Sequence, residues 1–418
     1  MEPTETHRAI EAVWRIESAR LIAALTRMVR DVGRAEELAQ DALVAALEQW
    51  PKSGVPENPG AWLMATAKHR AIDHFRRAAR IDQKHEELGR DLAERENAVP
   101  DLTELIDDHI GDDLLRLVFI ACHPLLPTEA RVALTLRLLG GLTTIEIARA
   151  YLSSERTIAQ RIVRAKRTLS EARVPFEMPW GAEFAARLSS VLQVIYLIFN
   201  EGYSATAGED WMRPSLCEEA LRLGRILAEL VPKEPEVHGL VALMEIQASR
   251  SKARVGRAGE PILLLDQNRT HWDRLLIGRG LASLRRVEQL GGTRGIYAIQ
   301  AAIAACHAEA ATAEETGWAR IAALYADLAE VAPSPVVELN RAVAVGMKSG
   351  PAAGLELVDA LRNEPALQGY HLLPSVRGDL LKKLGRFDEA RLEFERAASI
   401  TQNARERHLL LERARACE

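Results

Sequence analysis

The stretch Leu142-Thr-Thr-Ile-Glu-Ile-Ala-Arg-Ala-Tyr-Leu-Ser-Ser-Glu-Arg-Thr-Ile-Ala-Gln-Arg-Ile-Val-Arg164 reads as two helices joined by a tight turn. Thr143 followed three residues later by Glu146 is a capping box, which places a short helix over 144–151. Leu152-Ser153 makes the turn, and Ser153 or Ser154 caps a second helix over 154–173. This is helix-turn-helix spacing. On the second helix Ile158, Ile162, Ala165 and Leu169 share one face, the face expected to be buried. Arg156, Gln160, Val163 and Arg167 lie opposite, with Arg164 beside them. Arginine and glutamine there are suited to phosphates and to the edges of guanine and adenine. Most turn-linked helix pairs bind no DNA; the basic outward face separates this one from them.

A second basic helix is expected over 59–80. Lys68, Arg70, Arg76, Arg77 and Arg80 stand on it against Asp73 alone. A charged run by itself is an ordinary solvated helix face. Two such helices in a protein of formal net charge −5 point instead to a nucleic-acid partner touched at two places. Between them, residues 82–113 carry twelve acids against Lys84, Arg90 and Arg95. That composition describes a solvated tether.

Two blocks carry a resemblance. Gly33-Arg-Ala-Glu-Glu-Leu-Ala-Gln-Asp41, followed by Pro59-Gly-Ala-Trp-Leu-Met-Ala-Thr-Ala-Lys-His-Arg-Ala-Ile-Asp-His-Phe-Arg-Arg77, resembles region 2 of bacterial sigma factors of the extracytoplasmic-function class. Residues 114–172 resemble region 4. The resemblance implies that the acidic helix, through Glu36, Glu37, Gln40 and Asp41, binds core RNA polymerase. It implies that Lys68, His69, Arg70, Arg76 and Arg77 work at the −10 promoter element. Ser154, Arg156, Gln160, Arg161, Arg164 and Arg167 then hold the −35 element. The Pro/Gly-rich loop over 51–59 corresponds to one that holds a flipped base, and the acidic linker to one that threads a basic channel of the polymerase. The family commonly has Asn at the place of His69. It usually has Gly in the region 4 turn, where this chain has Tyr151 and Leu152.

Beyond residue 180 the resemblance narrows to a subgroup with a long extension of tetratricopeptide type. It rests on Tyr196-Leu-Ile-Phe-Asn-Glu-Gly-Tyr203, Trp272-Asp-Arg-Leu-Leu-Ile277, Ala301-Ala-Ile-Ala-Ala-Cys-His-Ala308, Ser334-Pro-Val-Val-Glu-Leu-Asn-Arg-Ala342 and Gly369-Tyr-His-Leu-Leu373. Leu384-Gly-Arg-Phe387 with Ala390, Phe394 and Ala397 matches the repeat pattern directly. A solenoid of this kind presents a surface for a protein or peptide partner.

The 418 residues, 48% hydrophobic and 27% charged, suffice for several packed domains. Ala, Leu, Arg and Glu dominate and alternating β-branched runs are scarce, so an all-α fold is expected. The short run 262–265 is read as a loop or small ribbon. The expected organisation is a first helical domain over 7–80, an acidic linker over 81–113, the helix-turn-helix domain over 114–173 and the helical array over 180–418. The longest apolar run, 191–199, is too short to span a membrane. The N-terminus lacks a basic and then apolar leader, so the cytoplasm is expected. Four scattered cysteines form no CxxC, and His69 and His74, five apart, are not a metal pair. No P-loop and no GxSxG occurs. We therefore expect no enzyme, no cofactor and no metal. Asn200-Glu-Gly-Tyr203 and Trp272-Asp-Arg274 read as packing and capping residues of the array or as contacts to the sigma-like domains. The leading expectation is a sigma factor regulated in cis by its array. The alternatives are an adaptor whose modules bind proteins only, and an operator-binding repressor.

Overall fold

The computed structural model describes residues 5–86, 110–256 and 259–418; of residues 74–86 and 110 only the backbone is described. The chain forms two compact units, Met1–Val194 and Ile195–Glu418. The fold is all-α, with two dipeptide strands among the described residues.

The first unit contains α1 (Glu5–Val29), α2 (Val32–Ser53), α3 (Pro59–Glu86), α4 (Ile110–Ala121), α5 (Thr128–Leu138), α6 (Thr144–Ala150), α7 (Glu155–Glu171) and the first half of α8 (Gly181–Tyr203). Asp31 caps α2 by accepting from the Arg34 N–H at 2.8 Å, a standard helix start. Trp50 is fully buried and meets Trp62 edge to face at 5.3 Å, joining α2 to α3. Helix α3 runs past residue 80 to Glu86, and α4 begins at Ile110, inside the stretch read as linker. The physical reason at α4 is Asp112 and Asp113, which favour the first turn of a helix. Asp113 is also buried, pairing with Arg27 at 3.3 Å and with Arg116 at 2.7 Å. Residues 87–109, the rest of the acidic stretch, lie outside the described residues.

The start of α8, read as the head of the array, belongs to the first unit. Ser190 donates to the Cys122 carbonyl at 2.7 Å and accepts from Arg131 at 2.5 Å. Phe184 packs edge to face on Phe119 at 5.5 Å. By length and composition α8 is long and apolar enough to cross a membrane, but half of that stretch is buried inside the protein.

The second unit is a succession of antiparallel helix pairs. They are α9 (Pro214–Leu230), α10 (Pro235–Ala248), α11 (Arg274–Gln289), α12 (Ile296–Glu309), α13 (Trp318–Val331), α14 (Pro335–Ser349), α15 (Pro351–Ala360), α16 (Leu372–Lys383), α17 (Phe387–Ile400) and α18 (Ala404–Arg415). The repeat pattern over 384–397 is explained by packing. Ala390, Phe394 and Ala397 are all fully buried, and a Cβ on Gly378 would lie 2.8 Å from the Phe394 ring. Only glycine lets α16 approach α17 that closely. Gly385, at φ +75°, makes the turn between them. The run 262–265 is a small ribbon and turn: Val255 bridges Pro261 antiparallel, and a 3₁₀ turn follows over Leu264–Asp266.

Sequence patterns do not reveal one contact here. Ala207–Gly208 (β1) pairs in parallel with Gln402–Asn403 (β2). The buried Asn403 amide donates to the Ala205 carbonyl at 3.1 Å and to the Asp210 carbonyl at 2.8 Å. Its oxygen caps α18, accepting from the Arg405 and Glu406 N–H groups. Replacing Asn403 by Ala removes a cap worth about 1 kcal/mol and strands two carbonyls at about 1 kcal/mol or more each. We expect Asn403→Ala to destabilise the unit by roughly 2–4 kcal/mol. Urea unfolding followed by circular dichroism measures this, and a loss below about 0.5 kcal/mol would contradict it.

Candidate nucleic-acid interface

The helix-turn-helix forms as its residues dictate. Thr143 accepts from the Glu146 N–H at 3.1 Å, while the Glu146 carboxylate accepts from the Thr143 N–H at 2.8 Å, closing the capping box. Ser154, not Ser153, caps α7, accepting from the Thr157 N–H at 3.0 Å. Leu152 stands in the turn at φ +46°. That left-handed conformation costs a side-chain-bearing residue about 1–2 kcal/mol, and it falls where the sequence lacks the usual glycine. Ile158, Ile162, Ala165 and Leu169 are all buried, so the opposite face is fixed outward. Arg156, Gln160, Val163, Arg164 and Arg167 are exposed and Arg161 is half-buried. Arg167 donates to Glu171 at 2.6 Å, and this bond raises its already high pKa. Ser154 is exposed, but its hydroxyl is engaged in the cap.

On α3, Leu63, Ala67 and Ala71 face inward. His69 lies on the exposed side, while Lys68 and Arg70 are half-buried. Arg70 stands 3.6 Å from Asp41 on α2. Arg76 and Arg77 fall on α3, where side chains are outside the described residues. The described part therefore places one of the −10 set, Arg70, against one of the polymerase set, Asp41.

The acidic helix divides. Glu37 and Asp41 are exposed and Gln40 is half-buried, whereas Glu36 is buried, at 3% exposure. Its carboxylate accepts from Arg137 of α5 at 2.6 Å and from Gln40 at 2.5 Å, and it pairs with Lys166 of α7. The residue is covered because α2 packs on α7: Gly33 lies so near Lys166 that a Cβ there would sit 3.6 Å from its chain. Lys166, one of the basic residues of α7, thus points to Glu36. Sequence reasoning missed this, although at 100° per residue Lys166 borders the stripe of Ile162, Ala165 and Leu169. On the neighbouring surface Arg15 of α1 pairs with Glu146 of α6 at 3.2 Å. A cavity of about 610 Å³ is lined by Arg27 near the end of α1, by Arg30 and Asp31 in the turn that follows, and by Arg173, Phe176 and Glu177 after α7.

The first unit thus carries two basic helices, α3 and α7, the second of them within a helix-turn-helix. Residues 15–81 match sigma-70 region 2 and residues 116–169 match sigma-70 region 4; residues 187–288 match a family of unknown function (DUF6596). The chain is 45% identical over 386 residues to an uncharacterized protein of Rhizobium meliloti (strain 1021), covering 92% of this chain and 90% of the relative. It is 28% identical over 170 residues to the probable ECF RNA polymerase sigma factor SigI of Mycobacterium tuberculosis (strain ATCC 25618 / H37Rv), 40% of this chain and 57% of that protein. It is also 28% identical over 165 residues to the ECF RNA polymerase sigma factor SigK of Mycobacterium sp. (strain KMS), 37% of this chain and 77% of that protein. The chain belongs to the extracytoplasmic-function sigma factors and carries a helical C-terminal extension. Its function is to direct RNA polymerase to promoters.

Proposed function

We propose that residues 7–80 hold core polymerase and the −10 element, that residues 114–173 hold the −35 element, and that the array over 180–418 controls both in cis in the cytoplasm. The observation carrying the DNA-side reading is the exposed face of α7, with Arg156, Gln160 and Arg164 outward over a stripe of four buried apolar residues. Arg156 and Gln160, near the N-terminus of that helix, read bases, since that end enters the groove. Arg161, Arg164 and Arg167 hold phosphates, Arg167 by exchanging Glu171 for one. Ser154 orients the helix through its cap. Lys68, His69 and Arg70, with Arg76 and Arg77, serve the −10 element. Glu37, Gln40 and Asp41 face the polymerase. Glu36 acts inside the protein, tying α2 to α5 and α7, and its exposure to a partner requires those helices to move. Nucleotide chemistry belongs to the polymerase; this chain supplies sequence choice and strand opening.

The array accounts for more than half the chain, and its repeats build surface suited to a protein or peptide. A chain ending after Val194 keeps the whole first unit. Its output from the target promoter in cells should differ several-fold from that of the full chain. Transcript levels at matched protein abundance decide this, and equal output would make the array a passenger.

A further inference from the structure

Three motifs of the array that promoter recognition leaves without a role meet around a cluster of arginines. Tyr203 ends α8, Trp272 precedes the cap of α11, and His307 lies in α12. The Arg254 guanidinium stacks 3.5 Å from the Tyr203 ring centre and donates to the Tyr203 carbonyl. Arg250 stands between Tyr203 and Trp272, at 5.8 and 5.7 Å from their ring centres. Arg269 lies 4.9 Å from the Trp272 ring. It donates to the carbonyls of His307 and Ala310 at 2.5 and 2.8 Å and to the Thr316 hydroxyl at 3.0 Å. Arg254 and Arg269 are each only 7% exposed.

Among the described residues no carboxylate pairs with any of the three within 4 Å; Glu314 and Glu315 act on Arg269 only from further off. Buried cations are costly unless paired, and these three share one aromatic frame, so they repel. Stacking on rings offsets part of that cost and does not neutralise charge. The local field is visible at His307, where burial together with Arg250 and Arg269 pushes the imidazole down to about 4. Polar atoms in the cluster also lack partners among the described residues: Arg250 Nε, Trp272 Nε1, His307 Nδ1 and Trp211 Nε1. Trp272 and His307 are more than nine-tenths buried. Buried donors of this kind are normally satisfied, and here they gather beside three guanidinium groups. Half-buried Arg250 and Trp211 give the cluster its accessible side. Trp211 is set by the loop that Asn403 pins, since the Ala205 N–H donates to the Trp211 carbonyl at 3.0 Å.

We propose that this cluster in the extension is a binding site for an oxyanion, the phosphate or carboxylate group of a small ligand. Guanidinium forks match both groups, and indole N–H donors complete the shell. Ligand binding there is separate from promoter recognition, so it is tested without transcription. The full chain is titrated with inorganic phosphate, with citrate and with chloride at matched ionic strength, following the melting temperature and tryptophan fluorescence. A saturable rise of roughly 5–10 °C at a hundredfold excess over Kd is expected with phosphate or citrate and not with chloride. Phosphate alone would mark a phosphorylated ligand, and citrate alone a carboxylate. Arg250→Gln removes one fork at the accessible side, and Trp272→Phe keeps the ring but deletes the donor. Both should fold, as read by circular dichroism, and lose the response at least tenfold in apparent Kd. The proposal falls if neither oxyanion gives a saturable shift, if chloride does as well, or if folded Arg250→Gln and Trp272→Phe respond like the parent.

Discussion

Reversing charge at Glu37 and Asp41 together should lower affinity for core polymerase by roughly tenfold or more, and run-off transcription with it. Both carboxylates are exposed on the outer side of α2, and like-charge contact at an interface costs several kcal/mol. Each has only a partly exposed partner, Arg34 for Glu37 and Arg70 for Asp41, so the folded protein loses little: surface pairs contribute about 0–1 kcal/mol. Glu36 behaves differently. Its removal strands Arg137 and Lys166, and breaking a buried pair costs about 3–5 kcal/mol. Glu36→Ala should therefore appear first as lost stability, and Glu37→Arg with Asp41→Arg as lost binding at unchanged stability. Pull-down of core enzyme alongside urea unfolding measures both. Undiminished core binding by the double variant would overturn the assignment of α2.

Arg156→Ala and Arg164→Ala should fail in different ways. Loss of a base contact costs about 1–3 kcal/mol and relaxes preference at one promoter position. Loss of a phosphate contact weakens every sequence alike and lowers the salt slope by about one. Arg156 sits in the first turn of α7 and Arg164 two turns further on, both exposed. Binding across a promoter library at several salt concentrations separates the two. A uniform loss from both variants would show that the groove-facing end of α7 is wrongly placed.

The parts legible in sequence are those set by local chemistry. The capping box of α6 and the buried stripe of α7 are written in residues three and four apart, and the structure has both. Phe394 and its alanines mark α17 in the same way. The burial of Glu36 is not legible in the sequence, because its charge reads as surface while burial is decided by Arg137 and Lys166, more than a hundred residues away. Contacts over such separations leave no period in the chain. The arginine cluster was hidden for the same reason: Tyr203, Trp272 and His307 each look like a packing residue until α8, α11 and α12 bring them together. At α4 the acids read as tether charge, although Asp112 and Asp113 are also good first-turn residues and Asp113 finds two arginines.

The Asn403 clasp has a consequence for biosynthesis. The loop it pins, from Ala205 to Asp210, leaves the ribosome 198 residues before its partner is made. At about 5–20 residues per second this is a wait of roughly 10–40 s. Throughout it the two basic helices α3 and α7 are already synthesised, whereas the loop carrying Trp211 is held only locally, by Arg213 to the Ala207 carbonyl, and not yet by Asn403. Clipping or tagging the chain just before Gln402 would accordingly be felt not at its end but next to Tyr203, where a nascent array is still waiting to close.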